Sequence, residues 1–72
     1  MLRYKLLYIE NDEYFYEYYV EDDESNPGII SKKDGERGRI VKLSDKDPDK
    51  YYAFHAVSGI DVKKSSGTVA WY

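Results

Sequence analysis

A chain of 72 residues with a formal charge of −3 makes one domain, and a domain of this length buries only about 60% of the surface its unfolded chain exposes. It has no cysteine and a single histidine, His55, which excludes disulfides, thiolate zinc sites and histidine-rich metal sites. No apolar run reaches the roughly 18 residues of a membrane span, and the opening MLRYKLLYIE alternates where a signal peptide would be uniformly apolar.

Residues 2 to 10 alternate, with Leu2, Tyr4, Leu6 and Tyr8 on one side and Arg3, Lys5, Leu7 and Ile9 on the other. That period is a strand's. Asn11-Asp12 is a turn signal. Residues 14 to 21, YFYEYYVE, alternate again, with Tyr14, Tyr16, Tyr18 and Val20 opposite Phe15, Glu17, Tyr19 and Glu21. Two such runs around a polar turn read as a hairpin. Directly paired residues share a face, so the even-numbered faces coincide when Tyr8 pairs with Tyr14, Leu6 with Tyr16, Tyr4 with Tyr18 and Leu2 with Val20. The next register closes a three-residue loop, Asn11 to Glu13, and pairs Arg3 with Glu21. Either one gives a core face of Leu, Tyr and Val. A two-residue Asn11-Asp12 loop mixes the faces and is rejected unless a bulge restores the phase.

Residues 22 to 26, DDESN, form a polar loop, and Asn26-Pro27-Gly28 suits a type II turn with positive φ at Gly28. Ile29-Ile30 begins a third strand. Residues 34 to 38, DGERG, are a glycine-rich loop, and RIVKL, residues 39 to 43, is a fourth strand. Asp47-Pro48-Asp49 resembles a helix start with Asp47 as N-cap. Ala53, Ala56, Val57 and Ile60 then form a one-sided helical stripe, and Lys63 and Lys64 suit a helix C-terminus. Gly59 is the weak point of that helix, which either stops there or runs on toward Lys63 and Lys64, and a strand is the alternative for YYAFHAV, residues 51 to 57. TVAWY, residues 68 to 72, is a closing strand. The expected fold is α+β, a mostly antiparallel sheet in the order β-β-β-β-α-β with one helix packed on one face.

A helix carrying His55-Ala56, a Ser/Gly break and the closing Gly67, Val69, Ala70, Trp71 and Tyr72 resemble a group of small uncharacterised bacterial proteins with a tyrosine-rich N-terminal hairpin. The resemblance implies the same order of elements and an intracellular bacterial setting, and it brings no activity with it. The missing cysteines fit a reducing compartment, so a cytoplasmic location is expected.

No catalytic, cofactor-binding or metal-binding residues are assigned, and a non-enzymatic protein is expected. His55 reads as a structural histidine, since no G-x-S-x-G frames Ser44 or Ser58. Asp45, Asp47 and Asp49 have the opening spacing of a calcium loop, but Lys50 and Ala56 stand where it needs glycine and glutamate. Gly35 and Gly38 among Lys32, Lys33, Arg37 and Arg39 read as a hairpin loop before a nucleic-acid clamp. Eight acids and no base lie between Glu10 and Ser31, so phosphate would be repelled there.

One helix covers one sheet face. The other is expected to carry Leu7, Ile9, Phe15 and Tyr19 among charges, the composition of a protein interface. The expected partner is a protein or a second copy of the chain in a twofold dimer, with no membrane or nucleic-acid role. An alternative is an acidic inhibitor of a nucleic-acid-binding enzyme, with Glu17, Glu21, Asp22, Asp23 and Glu24 imitating phosphates.

Overall fold

The computed structural model describes residues 1–21 and 23–71. Its elements are β1 (Leu2–Glu10), β2 (Glu13–Val20), β3 (Gly28–Lys33), β4 (Arg39–Lys42), α1 (Tyr51–Gly59) and β5 (Ser66–Val69). The strands form one antiparallel sheet in the order β4-β3-β2-β1-β5. The first four make a meander. Helix α1 then crosses one face, touching every strand, and delivers β5 to the far edge beside β1. The α+β class and the order of elements are those the sequence predicts.

Along the first hairpin the register is the expected one from Leu2↔Val20 to Leu6↔Tyr16. It then shifts. Tyr8 pairs with Phe15, Ile9 with Tyr14 and Glu10 with Glu13. The turn therefore has two residues, Asn11 and Asp12, both with positive φ, 52° and 66°. These angles belong to a type I′ turn, whose twist matches that of the flanking strands. Such a turn puts the strands out of phase by one. The bulge at Leu7 absorbs the extra residue, so Leu7 and Tyr8 together oppose Phe15. The three-residue loop is thus corrected, and the bulge restores the phase on which the core depends.

The core combines Leu2, Tyr4, Tyr16, Tyr18, Val20 and Ile30 from the sheet with Ala53, Ala56, Val57 and Ile60 from the helical segment. Two of the tyrosines lie over glycines on the neighbouring strand. A Cβ on Gly28 would stand 2.1 Å from the ring of Tyr18, and one on Gly67 would stand 2.7 Å from the Tyr4 hydroxyl. Gly28 therefore serves as the strand partner of Tyr18 and is not the positive-φ residue of a type II turn. Gly67 likewise lies in β5, opposite Tyr4, and the strand ends at Val69 instead of running on through Trp71. The expectation that Tyr72 extends it lies outside the described residues.

The tyrosine hydroxyls reach the loops. Tyr16 donates to the carbonyl of Lys64 at 2.9 Å. Tyr18 donates to Asp47 Oδ2 at 3.1 Å and accepts from the Ser44 amide at 3.1 Å. An unpartnered hydroxyl at these depths would cost about 1–3 kcal/mol.

Asp47 is buried and also accepts the amides of Tyr52 and Ala53, at 3.0 and 2.9 Å. Those are the second and third amides of α1, the pair an N-cap side chain serves. The residue in the N-cap position is Lys50, with φ of 63°. The capping role of Asp47 is retained, but its place in the chain is corrected by one turn. A backbone bond from the Lys50 amide to the Asp47 carbonyl, 3.1 Å, closes that turn. At the other end α1 stops at Gly59. Lys63 and Lys64 lie beyond it, and the cation meeting the last carbonyls is Lys32, whose Nζ donates to the Ile60 carbonyl at 2.8 Å.

Two outcomes follow. Asp47→Ala strips an acceptor from Tyr18 and from two helix amides, and it should lower unfolding free energy by about 3 kcal/mol in a denaturant titration. Asp47→Asn, which keeps one carbonyl oxygen, should lower it less. The second outcome concerns alkali. Burial pushes the Tyr16 and Tyr18 hydroxyls up to about 12, whereas unfolded tyrosines ionise near pH 10. The unfolded state therefore loses protons first. Stability should be fully present below about pH 10 and fall as pH rises from there to about 12. Tyrosinate absorbance should rise in two steps; one step near pH 10 in the folded protein would contradict this.

Candidate functional site

The sheet face opposite α1 has no element across it among the described residues. Its rows are Glu13, Phe15, Glu17 and Tyr19 on β2, with Lys33, Ser31 and Ile29 beside them on β3. Arg3 and Lys5 on β1 lie opposite Tyr19 and Glu17. The bulge adds Leu7 and Tyr8 opposite Phe15. The Tyr8 and Phe15 rings stack with centroids 4.5 Å apart and planes 14° from parallel. Tyr8 remains 50% exposed and Leu7 41%.

The four residues assigned to this face from the sequence do not stay together. Phe15 and Leu7 do face it. Ile9 pairs with Tyr14 and so belongs to the helix side of the ribbon, beyond the helix's cover and 54% exposed. Tyr19 points to the open face but is only 8% exposed. The Arg3 guanidinium lies 5.7 Å from the centre of its ring, and its hydroxyl donates to Glu17 Oε1 at 2.8 Å. Burial, reinforced by Glu17, pushes that hydroxyl up to about 12. The apolar group on this face is thus exposed Leu7 and Tyr8 with half-buried Phe15, and half-buried Ile29 lies diagonal to Phe15. Strict alternation hid Tyr8. The signal that could have found it is the Asn11-Asp12 turn, whose two-residue geometry demands a bulge.

The acidic segment is largely engaged by nearby cations. Glu21 meets the amino group of Met1 at 3.0 Å, Glu24 meets Arg3 at 3.2 Å and Asp23 meets Lys46 at 3.8 Å. Ser25 donates twice to Asp23 and holds its carboxyl below the usual range. Glu17 accepts from Tyr19. The expectation for Asp22 lies outside the described residues.

The basic loop is dispersed in the same way. Lys32 turns to the helix end, and Arg39 pairs with Glu13 at 3.2 Å. The Ser31 hydroxyl and then Arg39 hold the Glu13 carboxyl below its ordinary value. Gly38 donates its amide to the Val57 carbonyl at 3.1 Å, which ties the loop to α1. Between these residues, with Lys33, Glu36 and Arg37, lies an open hollow of about 230 Å³ of mixed charge.

His55 stacks on Trp71, centroids 3.9 Å apart and planes 4° from parallel. Trp71 Nε1 donates to the Tyr51 hydroxyl at 2.6 Å, and Tyr52 packs edge-on against the indole. The cluster fastens the residues after β5 to α1. The Ser44 hydroxyl donates to the Asn26 carbonyl, and that of Ser58 is shared between the Phe54 and His55 carbonyls, so each is directed at backbone and not at the His55 ring. Among the described residues, no group of three or more His, Cys, Asp and Glu could hold a metal, and no helix is long and apolar enough to cross a membrane.

No protein-family model, curated protein or solved structure matches the chain.

The open-face residues should be separable from the core by stability. Tyr8→Ser removes an exposed stacked ring and should lower unfolding free energy by about 1 kcal/mol. Tyr16→Ala empties a fully buried site and should lower it by about 3–5 kcal/mol. Equal losses in the two melts would mean that Tyr8 is a core residue.

Proposed function

We propose that the protein is a small non-enzymatic interaction module that binds another protein through the open face of its sheet. Leu7, Tyr8 and Phe15 are its apolar anchors, and Arg3, Lys5 and Glu17 form a polar rim. The observation that carries this reading is the stack of exposed Tyr8 on half-buried Phe15, on a face that no other element crosses among the described residues. Aromatic anchors ringed by charge are what a docking site offers, because the rings bring large area at little entropic cost and the rim excludes water. The cysteine-free sequence supports a cytoplasmic setting.

The acidic-inhibitor reading draws less support. A phosphate mimic needs a row of carboxylates presented outward, and Glu21, Asp23 and Glu24 each meet a cation of their own chain.

The two readings separate in one capture experiment. The immobilised full chain is compared with Tyr8→Ser/Phe15→Ser and with Glu21→Gln/Glu24→Gln, each shown to fold by its melt. The aromatic pair should lose the bound partner and the acidic pair should keep it. The reverse pattern would favour the acidic inhibitor, and retention by both variants would remove the open face from the account.

A further inference from the structure

Strand β5 is shorter than β1 and leaves a length of the β1 edge unpaired among the described residues. Strand β5 occupies the outer edge of β1 only from Leu2 to Lys5, and the Leu6 amide donates to the Ser65 carbonyl at 2.7 Å. Beyond that point Leu7, Tyr8, Ile9 and Glu10 have β2 on one side and, among the described residues, no strand on the other. The two-residue turn closes on Glu10↔Glu13, a pair whose backbone groups face each other, so those of Glu10 point to β2. Alternation therefore turns the Ile9 N–H and C=O to the open edge. An edge that is both apolar and unpaired is a template for another strand. Here Leu7, Tyr8 and Ile9 are 41%, 50% and 54% exposed.

We propose that this edge pairs antiparallel with the same edge of a second copy, Ile9 opposite Ile9 about a twofold axis and Tyr8 opposite the partner's Glu10. The register follows from three constraints. Pairing further toward the N-terminus collides with β5. Opposing Tyr8 to Ile9, Ile9 to Glu10 or Leu7 to Ile9 sets residues of different faces against each other, since the bulge puts Leu7, Tyr8 and Glu10 on the open side and Ile9 on the helix side. Pairing further toward the turn sets Glu10 against Glu10. The remaining register keeps every pair on one side and makes the two sheets continuous.

Charge favours the same occupant. The ribbon tip is acidic, with Glu10, Asp12 and Glu13. Lys63 and Lys64 are exposed on the segment that runs beside Leu6. With Ile9 opposite Ile9 the partner's strand ends at its Asn11-Asp12 turn, opposite Leu7, so the acidic turn abuts the end of the segment that carries Lys63, Lys64 and Ser65, and does so twice by symmetry. An unrelated apolar strand would lack that match. The surface is the ribbon's edge and not its face, so the inference stands apart from the function proposed above.

The register is tested by a thiol in a chain that has none. Hydrogen-bonded antiparallel partners have Cα atoms about 5.5 Å apart, within the span a disulfide bridges. Ile9→Cys should oxidise to a covalent dimer at least about tenfold faster than Val41→Cys, as expected of thiols held adjacent instead of meeting by collision. Val41 is similarly exposed and lies outside the ribbon. In sedimentation, wild type should dimerise as concentration rises, Ile9→Lys should remain monomeric, and Phe15→Ser should dimerise like wild type. Equal oxidation rates for the two thiols, or a wild type that stays monomeric at millimolar concentration, would overturn the proposal. So would a dimer lost in Phe15→Ser but kept in Ile9→Lys, which would place the second copy on the open face instead.

Discussion

Leu7 and Tyr8 share one position opposite Phe15, and the rest of the molecule is arranged around that doubling. Two demands meet in the first hairpin. Asn11 and Asp12 tolerate the left-handed angles of a tight type I′ turn. Tyr16 and Tyr18 must face the same way as Leu2, Tyr4 and Leu6 if the helix is to have a surface to pack on. A side-chain period of two cannot satisfy both without one extra residue. The extra residue sits beyond the reach of β5 and α1, where a break in the ladder exposes the least core. As a result Tyr8 leaves the core face, Ile9 takes the phase Tyr8 would have had, and both remain in solvent.

The core solves the problem of a short chain with rings. Tyr16 and Tyr18 bring roughly 150–250 Å² apiece. Ala53 and Ala56 let the helix backbone approach them, while Gly28 and Gly67 leave room on the neighbouring strands. The rings are long enough for their hydroxyls to clear the apolar layer and bond to loop groups. Tyr18 reaches Asp47, and Asp47 holds the start of α1, so sheet and helix are joined through one buried carboxylate. Tyr16 ties the segment before β5 to β2 in the same way.

Periodicity made the strands, the helical stripe Ala53, Ala56, Val57 and Ile60, and the single covered face legible, because each depends on which side of an element is apolar. What was not legible depended on local backbone geometry or on distant partners. The bulge follows from the turn, and the turn's length was the ambiguous quantity. Gly28 looked like a turn glycine because nothing nearby in sequence reveals the ring of Tyr18. Asp47 has the right side chain for a cap, and only the αL residue Lys50 shows that the helix waits another turn. Tyr19 looked exposed because Arg3, opposite it in the ladder, and Glu24, which pairs with Arg3, are distant in sequence. The charge clusters also looked freer than they are. Glu13, Glu21, Asp23 and Glu24 each pair with a cation elsewhere in the chain, as Arg39 with Glu13 and Lys46 with Asp23.

Both the open face and the open edge inherit their residues from the phase change at Leu7. Through-space proton contacts in the folded chain report on it directly. The account predicts close contacts between the Tyr8 and Phe15 rings and between Ile9 and Tyr14 side chains. Contacts between the Tyr8 and Tyr14 rings, with Leu7 and Ile9 on the side of Phe15, would mean an unbroken ladder and would contradict it.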